Sequence, residues 1–495
     1  MKLILTGHDE RYAVEQTLLH LFPAERPVYE GDDENTAAIT LTRTPRRLTA
    51  KACVCYRGRT AEAECRALLA PCGGDAYEEN RLLKKIVKLS FYRASVRLLG
   101  HAPPWGALTG VRPGKVARRL LLAGNTPEEA SRILSRVYGV SAPRRRLMME
   151  TAAVSLAAER GVAADDFSLY VGIPFCPTRC AYCSFVAESV EHAFPLVEPY
   201  LNALHREIDL TAAAVKDLGL RLRTFYMGGG TPTTLSAGQT DELLSHLEEA
   251  FSFPSGMEYT VEAGRPDTIT AEKMQVLRRH GVTRVSVNPQ SMEQTVLDAI
   301  GRKHSPEDIL RAMDTVRAAG FTHVNMDLIA GLPADTAAGF RRTLDTVLTL
   351  GADNITVHTL ALKRGSRLTA EGGKTPDAET VGEMLAYADR TLRAHGFGPY
   401  YLYRQKYMAG SFENVGWCLP HTENLYNIYI MEELMTVLSL GAGGSTKAVS
   451  PAGDIARVFN CKYPREYIER TEKFSENLDA VRAFYAAHPV HILNP

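Results

Sequence analysis

Beyond residue 165 the chain alternates short apolar runs with longer amphipathic stretches, six times over. The runs fall near Leu169–Ile173, Thr224–Met227, Tyr259–Val261, Arg284–Val287, Val324–Ile329 and Ile355–Leu360. Runs this short, rich in β-branched and aromatic residues, read as buried strands, and the stretches between them read as helices. The pattern predicts a parallel sheet of six β/α units, because parallel neighbours need a crossover that a helix supplies. In such sheets ligands gather at the carboxyl ends of the strands. Chemistry-bearing residues stand there in turn: a cysteine loop after the first run, Gly228–Thr231 after the second, then Glu262, Gln290, Asp327 and Ala361.

Upstream, the pattern predicts a strand over Lys2–Thr6, a helix over Arg11–Phe22, strands over Ala37–Thr44 and Leu48–Tyr56, and a long helix over Asn80–Leu99. These form a small α+β layer. Pro103-Pro104-Trp105-Gly106 breaks the chain, and helical segments over Lys115–Leu122, Pro127–Val137 and Arg144–Glu159 follow. Leu108–Lys115 fails as a phosphate loop, since three residues separate Gly110 from Gly114 and Val116 stands where Ser or Thr is required. After Lys363 come a helix over Val381–His395, a tyrosine-rich strand over Tyr400–Tyr407 and a glycine-rich turn over Leu440–Ser445. This last part reads as a lid or as ordinary tyrosine packing. The expected domains are residues 1–100 (α+β), 101–165 (helical connector), 166–365 ((β/α)6 core) and 366–495 (C-terminal α+β).

At 495 residues, 45% hydrophobic and 23% charged, the chain has the composition of a multidomain globular protein. No apolar run reaches the ~18 residues of a membrane span, and Met1–His8 is too short for a secretion signal. The expectation is a cytoplasmic protein. Nine cysteines suit a reducing compartment. Zero net charge conceals an asymmetry: residues 1–150 carry 25 Lys and Arg against 16 Asp and Glu, and the remainder 32 against 41. The basic end suits an anionic small molecule, nucleic acid, or an acidic neighbouring domain.

Cys176, Cys180 and Cys183 stand at C-x3-C-x2-C spacing directly after the first run. Three thiolates on one loop can ligate three irons of a cubic [4Fe–4S] cluster and leave the fourth open for a small molecule. A structural zinc site needs a fourth Cys or His, which this loop lacks. Cys53, Cys55, Cys65 and Cys72 have no tight metal spacing and read as buried free thiols.

The cysteine loop, followed by Gly228-Gly229-Gly230-Thr231-Pro232-Thr233, resembles the radical S-adenosylmethionine (SAM) enzymes. More narrowly it resembles the oxygen-independent coproporphyrinogen III oxidase (dehydrogenase) family, from about residue 168 to 447, and the long N-terminal extension is most similar to the HemZ-type branch. The resemblance implies an α/β fold: a partial (β/α)6 barrel with an N-terminal α+β domain and a C-terminal α+β lid. It implies a [4Fe–4S] cluster on Cys176, Cys180 and Cys183, with SAM as the second cofactor. The implied SAM contacts are Tyr170, Tyr182, Gly229, Gly230, Thr231 and Glu262, with Gln290, Arg302, Asp327 and Ala361 from the later strands. Glycines admit a close backbone approach to SAM, carboxylates accept from ammonium or ribose, and Arg302 can hold a carboxylate. Arg302 with Asp327 as an ordinary ion pair, and Gln290 as a strand cap, are the plain alternatives. The implied reaction converts two propionates of coproporphyrinogen III to vinyl groups, giving protoporphyrinogen IX, with an electron donor such as flavodoxin or ferredoxin. Arg112, Lys115 and the run Lys363–Arg367 suit such an anionic tetrapyrrole.

Phe185 departs from the pattern, because well-studied oxidases of this family carry a further cysteine there. The heme-chaperone branch shares that lack and binds heme without decarboxylation. Its His-Asn-x-x-Tyr-Trp element is absent here, the nearest segment being Asn424–Met431; His421 and Cys418 are alternative heme ligands or packing residues. RNA modification ranks last: Lys84, Lys85, Lys88, Arg93 and Arg97 share a helix with Phe91 and Tyr92, but the apolar spacing there is that of packing.

Overall fold

The N-terminal sheet has four strands, β1 (Lys2–Thr6), β2 (Thr36–Arg43), β3 (Arg47–Tyr56) and β4 (Arg59–Leu68). β1 pairs parallel with β2, and β2, β3 and β4 run antiparallel. The computed structural model describes residues 1–489 except 71, 72, 74, 186, 364 and 407, and it divides into units 1–149 and 150–495. β4 lies outside the sequence expectation. Its inward positions, Ala63 and Cys65, are small and its outward ones are Glu62, Glu64 and Arg66, so it lacks the bulky residues that mark a strand. The turn before it, Arg57-Gly58, has φ of 50° and 73°, as a two-residue hairpin requires. The helix Ala76–Leu99 packs on β3 and β4, capped by the Asp75 carboxylate, which accepts from the Tyr77 N–H at 2.8 Å. Phe91 and Tyr92 are buried in that core. Neither is available to stack on a base. Cys65 is buried, whereas Cys53 and Cys55 are only half-buried; Cys72 lies outside the described residues.

The second unit is built on an eleven-stranded sheet. β5 (Asp166–Ile173), β8 (Arg221–Gly229), β9 (Glu258–Gly264), β10 (Arg284–Val287), β11 (His323–Ala330) and β12 (Asn354–Thr359) lie side by side and parallel. These are the six predicted strands. Helices Val197–Asp217, Ala237–Phe251, Ala271–Arg279, Pro306–Ala318 and Ala337–Thr349 make the crossovers, two of them opened by capping boxes at Ser236 and Ser305. Two-residue strands β6 (Phe175–Cys176) and β7 (Glu188–Ser189) pair across the cysteine loop.

The C-terminal segment supplies both edges of this sheet. β13 (Gly398–Tyr403) and β14 (Asn414–Cys418) add antiparallel beyond β12. β15 (Thr436–Leu440) adds parallel to β5, and the hairpin β16 (Ser445–Val449) and β17 (Ile455–Phe459) follows it. The barrel is therefore open. The expected strand to Tyr407 stops at Tyr403, and residue 407 lies outside the described residues. Among the described residues no helix is long and apolar enough to cross a membrane.

Candidate functional site

Along β5 every residue but Tyr170 is buried, and the strand delivers the chain to the cysteine loop at the open end of the sheet. The loop is held by backbone bonds on several sides. The Ala181 N–H donates to the Ile300 carbonyl, the Leu368 N–H to the Ala181 carbonyl, and the Glu188 N–H to the Pro174 carbonyl, each at 2.9 Å. Ala181 packs with Ile300, Leu332, Leu360 and Leu368 in a small apolar cluster. Arg265, buried after β9, grips the Asp267 carboxylate with Nε and Nη2 at 3.0 and 3.1 Å while its Nη1 donates to the Thr178 hydroxyl at 2.7 Å. It ties the middle of the cysteine loop to the sheet.

The three glycines pack against this loop. The Gly230 N–H donates to the Ile173 carbonyl at 2.8 Å and the Thr231 N–H to the Phe175 carbonyl at 2.7 Å. A Cβ on Gly230 would stand 2.6 Å from the Phe175 oxygen, and one on Gly228 would stand 2.9 Å from the Glu262 carboxyl carbon. Gly229, at φ 111°, has the Ile173 backbone 3.1 Å from where its Cβ would be. The expected close approach is thus first to the chain's own backbone at Ile173 and Phe175.

Above these elements opens a cavity of about 380 Å³. All thirteen residues singled out from the sequence line it: the three cysteines, Tyr170, Tyr182, Gly229, Gly230, Thr231, Glu262, Gln290, Arg302, Asp327 and Ala361. Burial pushes the Cys176 thiol up to about 11, against a bond from the Thr231 hydroxyl at 3.4 Å, and pushes Cys183 up as well. Buried thiols of this kind ionise when a metal compensates the charge. Among the described residues no group of three His, Cys, Asp or Glu converges as on a single ion. A cubic cluster asks for something else, since each iron takes its own thiolate and the sulfurs spread around the cube.

Two carboxylates in the cavity are driven in opposite directions. Burial pushes Glu262 up to about 7, although it accepts from the Tyr226 hydroxyl at 2.6 Å. Burial also works against Asp327, but His358, Asn325 and Thr356 outweigh it and hold that carboxyl below its ordinary range. Asn325 donates to Asp327 at 2.8 Å and the His358 Nε2 lies 3.8 Å away. The pairing of Arg302 with Asp327 entertained from the sequence is not made. Arg302 donates instead to the Asn288 carbonyl, and its Nε is buried without a partner among the described residues. Gln290 sits at φ 65°, outside the strands, bridged to Leu328; its buried Oε1 also has no partner among the described residues. A strained residue carrying an unmet buried acceptor beside an open cavity is what a polar ligand would satisfy.

Sequence reasoning missed several lining residues. Tyr226, Tyr401, Tyr403 and His358 line the cavity; Tyr226 stacks on Tyr170, which the sequence had singled out, at 6.2 Å and on Tyr426, which is not a lining residue, at 4.5 Å between centroids. Tyr226 carried a signal, for it lies two positions before Gly228 and so on the same face of β8. Tyr426 comes from the segment Asn424–Met431: Asn424 caps the helix Leu425–Glu432, and Glu258 accepts from the N–H groups of Leu425 and Tyr426 at 2.7 and 2.9 Å. Phe185, 67% exposed, lies on the cavity lining. Of the basic run, Lys363 lines the cavity, Arg367 is exposed away from the lining, and Arg364 lies outside the described residues. Cys418 is buried within β14, its thiol pushed up to about 12 by burial, and His421 is exposed; neither lines the cavity.

A thiol loop at the open end of a parallel sheet defines a class, and residues 170–347 match the Radical SAM superfamily. Members of that superfamily use a [4Fe–4S] cluster and SAM, which are the cofactors of this chain. The chain is 36% identical over 489 residues to the oxygen-independent coproporphyrinogen-III oxidase-like protein HemZ of Bacillus subtilis, covering 96% of this chain and 97% of that one. It is 33% identical over 238 residues to the heme chaperone HemW of the same organism, covering 47% of this chain and 62% of HemW. The solved structure of coproporphyrinogen III oxidase (HemN) from Escherichia coli matches with a TM-score of 0.51 at 25% identity, over 65% of this chain and 73% of that one. This chain belongs to the radical SAM family of oxygen-independent coproporphyrinogen III oxidase-like proteins, in its HemZ-type branch.

Proposed function

We propose that the protein is an oxygen-independent coproporphyrinogen III dehydrogenase of heme biosynthesis. It would convert two propionates of coproporphyrinogen III to vinyl groups and yield protoporphyrinogen IX. Each propionate gives up one hydrogen atom from its β-carbon, CO2 and one further electron. The observation that carries this reading is a single cavity combining a three-thiol loop, the cations Arg179, Arg302 and Lys363, and a wall of tyrosines. Cations suit the carboxylates of the substrate, and stacked phenols suit a flat apolar ring.

In this reading Cys176, Cys180 and Cys183 each hold one iron. The chemistry that SAM and the cluster would supply there is a radical able to take hydrogen from an unactivated carbon. The unpartnered Nε of Arg302 binds a carboxylate and the Gln290 Oε1 accepts from an ammonium group, while Glu262 and Asp327 accept from hydroxyls. Tyr170, Tyr182, Gly229, Gly230, Thr231 and Ala361 close around the same ligand. The tyrosine wall excludes water from the reacting carbon. A low-potential donor such as flavodoxin or ferredoxin would supply the electron.

One observation favours a second reading, a heme chaperone without turnover. Phe185 replaces the further cysteine of the oxidases, and the HemW relative shares the core. Anaerobic incubation with SAM, dithionite and coproporphyrinogen III separates the two. Protoporphyrinogen together with 5′-deoxyadenosine supports the dehydrogenase; tight heme binding with no porphyrinogen product supports the chaperone.

A further inference from the structure

The N-terminal unit contains a cleft of about 740 Å³ that the reaction above does not use. Its floor and walls are apolar, with Leu82 and Leu89 from the helix Ala76–Leu99, Leu108 from the following loop, and Val116 and Leu120 from the helix Gly114–Leu122. Five cations reach it: Arg81, Lys84, Lys85, Lys88 and Arg119. Glu78 is the one acid on the lining and is engaged by Arg81 at 2.8 Å, while Lys84 lies 3.9 Å from Glu10. Lys85, Lys88 and Arg119 have no carboxylate within ion-pair distance among the described residues. Lys85 lies 5.4 Å over the ring of Tyr138, which also lines the cleft. Burial pushes the Lys88 ammonium down, a cost that an arriving carboxylate relieves.

An apolar cleft with three cations outside any ion pair calls for a ligand with a broad apolar body and several acidic groups on its rim. We infer that the cleft is a second tetrapyrrole site, holding a porphyrin-type ring by its propionates against Lys85, Lys88 and Arg119. The inference rests on the tetrapyrrole reading of the core and gives the basic N-terminal unit a role in retaining substrate or product.

The test is equilibrium dialysis of the full chain against coproporphyrin III, comparing wild type with the triple variant Lys85→Gln, Lys88→Met, Arg119→Gln. These changes neutralise charge without reversing it and keep the stem of the half-buried Lys88. Wild type is expected to bind a second equivalent that the variant binds at least about tenfold more weakly, a change of ~1.4 kcal/mol. CO2 release by the variant at saturating coproporphyrinogen III is expected to match wild type. A single equivalent in wild type, or two equivalents of unchanged affinity in the variant, overturns the inference. Displacement by palmitate as effective as by porphyrin reassigns the cleft to acyl anions and overturns it too. Failure of the core reading has a different signature, namely wild type releasing no CO2.

Discussion

Gly230→Ala tests the idea that the glycine triplet serves the cysteine loop before it serves a ligand. The new Cβ would stand 2.6 Å from the Phe175 oxygen and 2.9 Å from two further Phe175 backbone atoms. Ordinary contact begins near 3.4 Å, so the strand must yield by about 0.8 Å. Phe175 cannot yield freely, because its ring is fully buried and packs edge-on to Tyr200 with centroids 5.3 Å apart. Its oxygen also accepts the Thr231 N–H at 2.7 Å, and the next residue is Cys176. Overpacking of this kind costs ~1–3 kcal/mol and a compromised buried hydrogen bond about 1 more. The expected result is a folded protein of lowered melting temperature that loads little iron and sulfide on anaerobic reconstitution, with SAM affinity falling as a consequence. Gly238→Ala is the matched control: nothing lies within 4 Å of its Cβ position at the start of the helix Ala237–Phe251, and a gain of up to ~1 kcal/mol is expected. A Gly230→Ala protein with full iron, full sulfide and wild-type SAM affinity would show that the Phe175 backbone tolerates a Cβ there.

Replacing Cys176, Cys180 or Cys183 by Ala is expected to remove the cluster and SAM cleavage together while circular dichroism stays native; retained iron in the triple variant contradicts the ligand assignment. Arg265→Lys gives up the two-point grip on Asp267 and the Thr178 contact, so cluster loading should drop with a stability loss of ~1.5–3 kcal/mol in denaturant titration. Glu262, held up to about 7 by burial, binds its proton more tightly folded than unfolded. Its contribution to stability is therefore fully present below the ordinary carboxylate value of 4.5 and lost as pH rises through about 7. Glu262→Gln should flatten that slope by at most ~2 kcal/mol after screening, and identical slopes for the two proteins refute the assignment. Asp327 runs the other way, its stabilisation being lost as pH falls.

The parallel core was legible because short apolar runs between amphipathic stretches permit few other arrangements. A parallel sheet then collects its strand ends at one edge, so residues far apart in sequence, such as Cys176, Gln290 and Ala361, come to line one cavity. Other features left weaker traces. β4 is a strand of alanines and glutamates whose identity comes from its partner β3, and β15 finds β5 across more than two hundred residues. No local pattern encodes such a pairing. Arg265, Tyr226 and the lining role of Tyr401 and Tyr403 escaped for a related reason: a buried Arg or Tyr looks the same in sequence whether it packs, braces a loop or faces a ligand. The unmet Gln290 Oε1 is visible only once its neighbours are in place.

The proposed reaction is decarboxylation of a porphyrinogen in the core cavity. It is tested most directly by counting, under anaerobic reducing conditions, the CO2 released from carboxyl-labelled coproporphyrinogen III against the 5′-deoxyadenosine formed. Both products are expected to appear together, in fixed proportion, and both to vanish in the Cys180→Ala protein. SAM cleavage without CO2 by cluster-loaded protein, accompanied by transfer of bound heme to an acceptor, contradicts it.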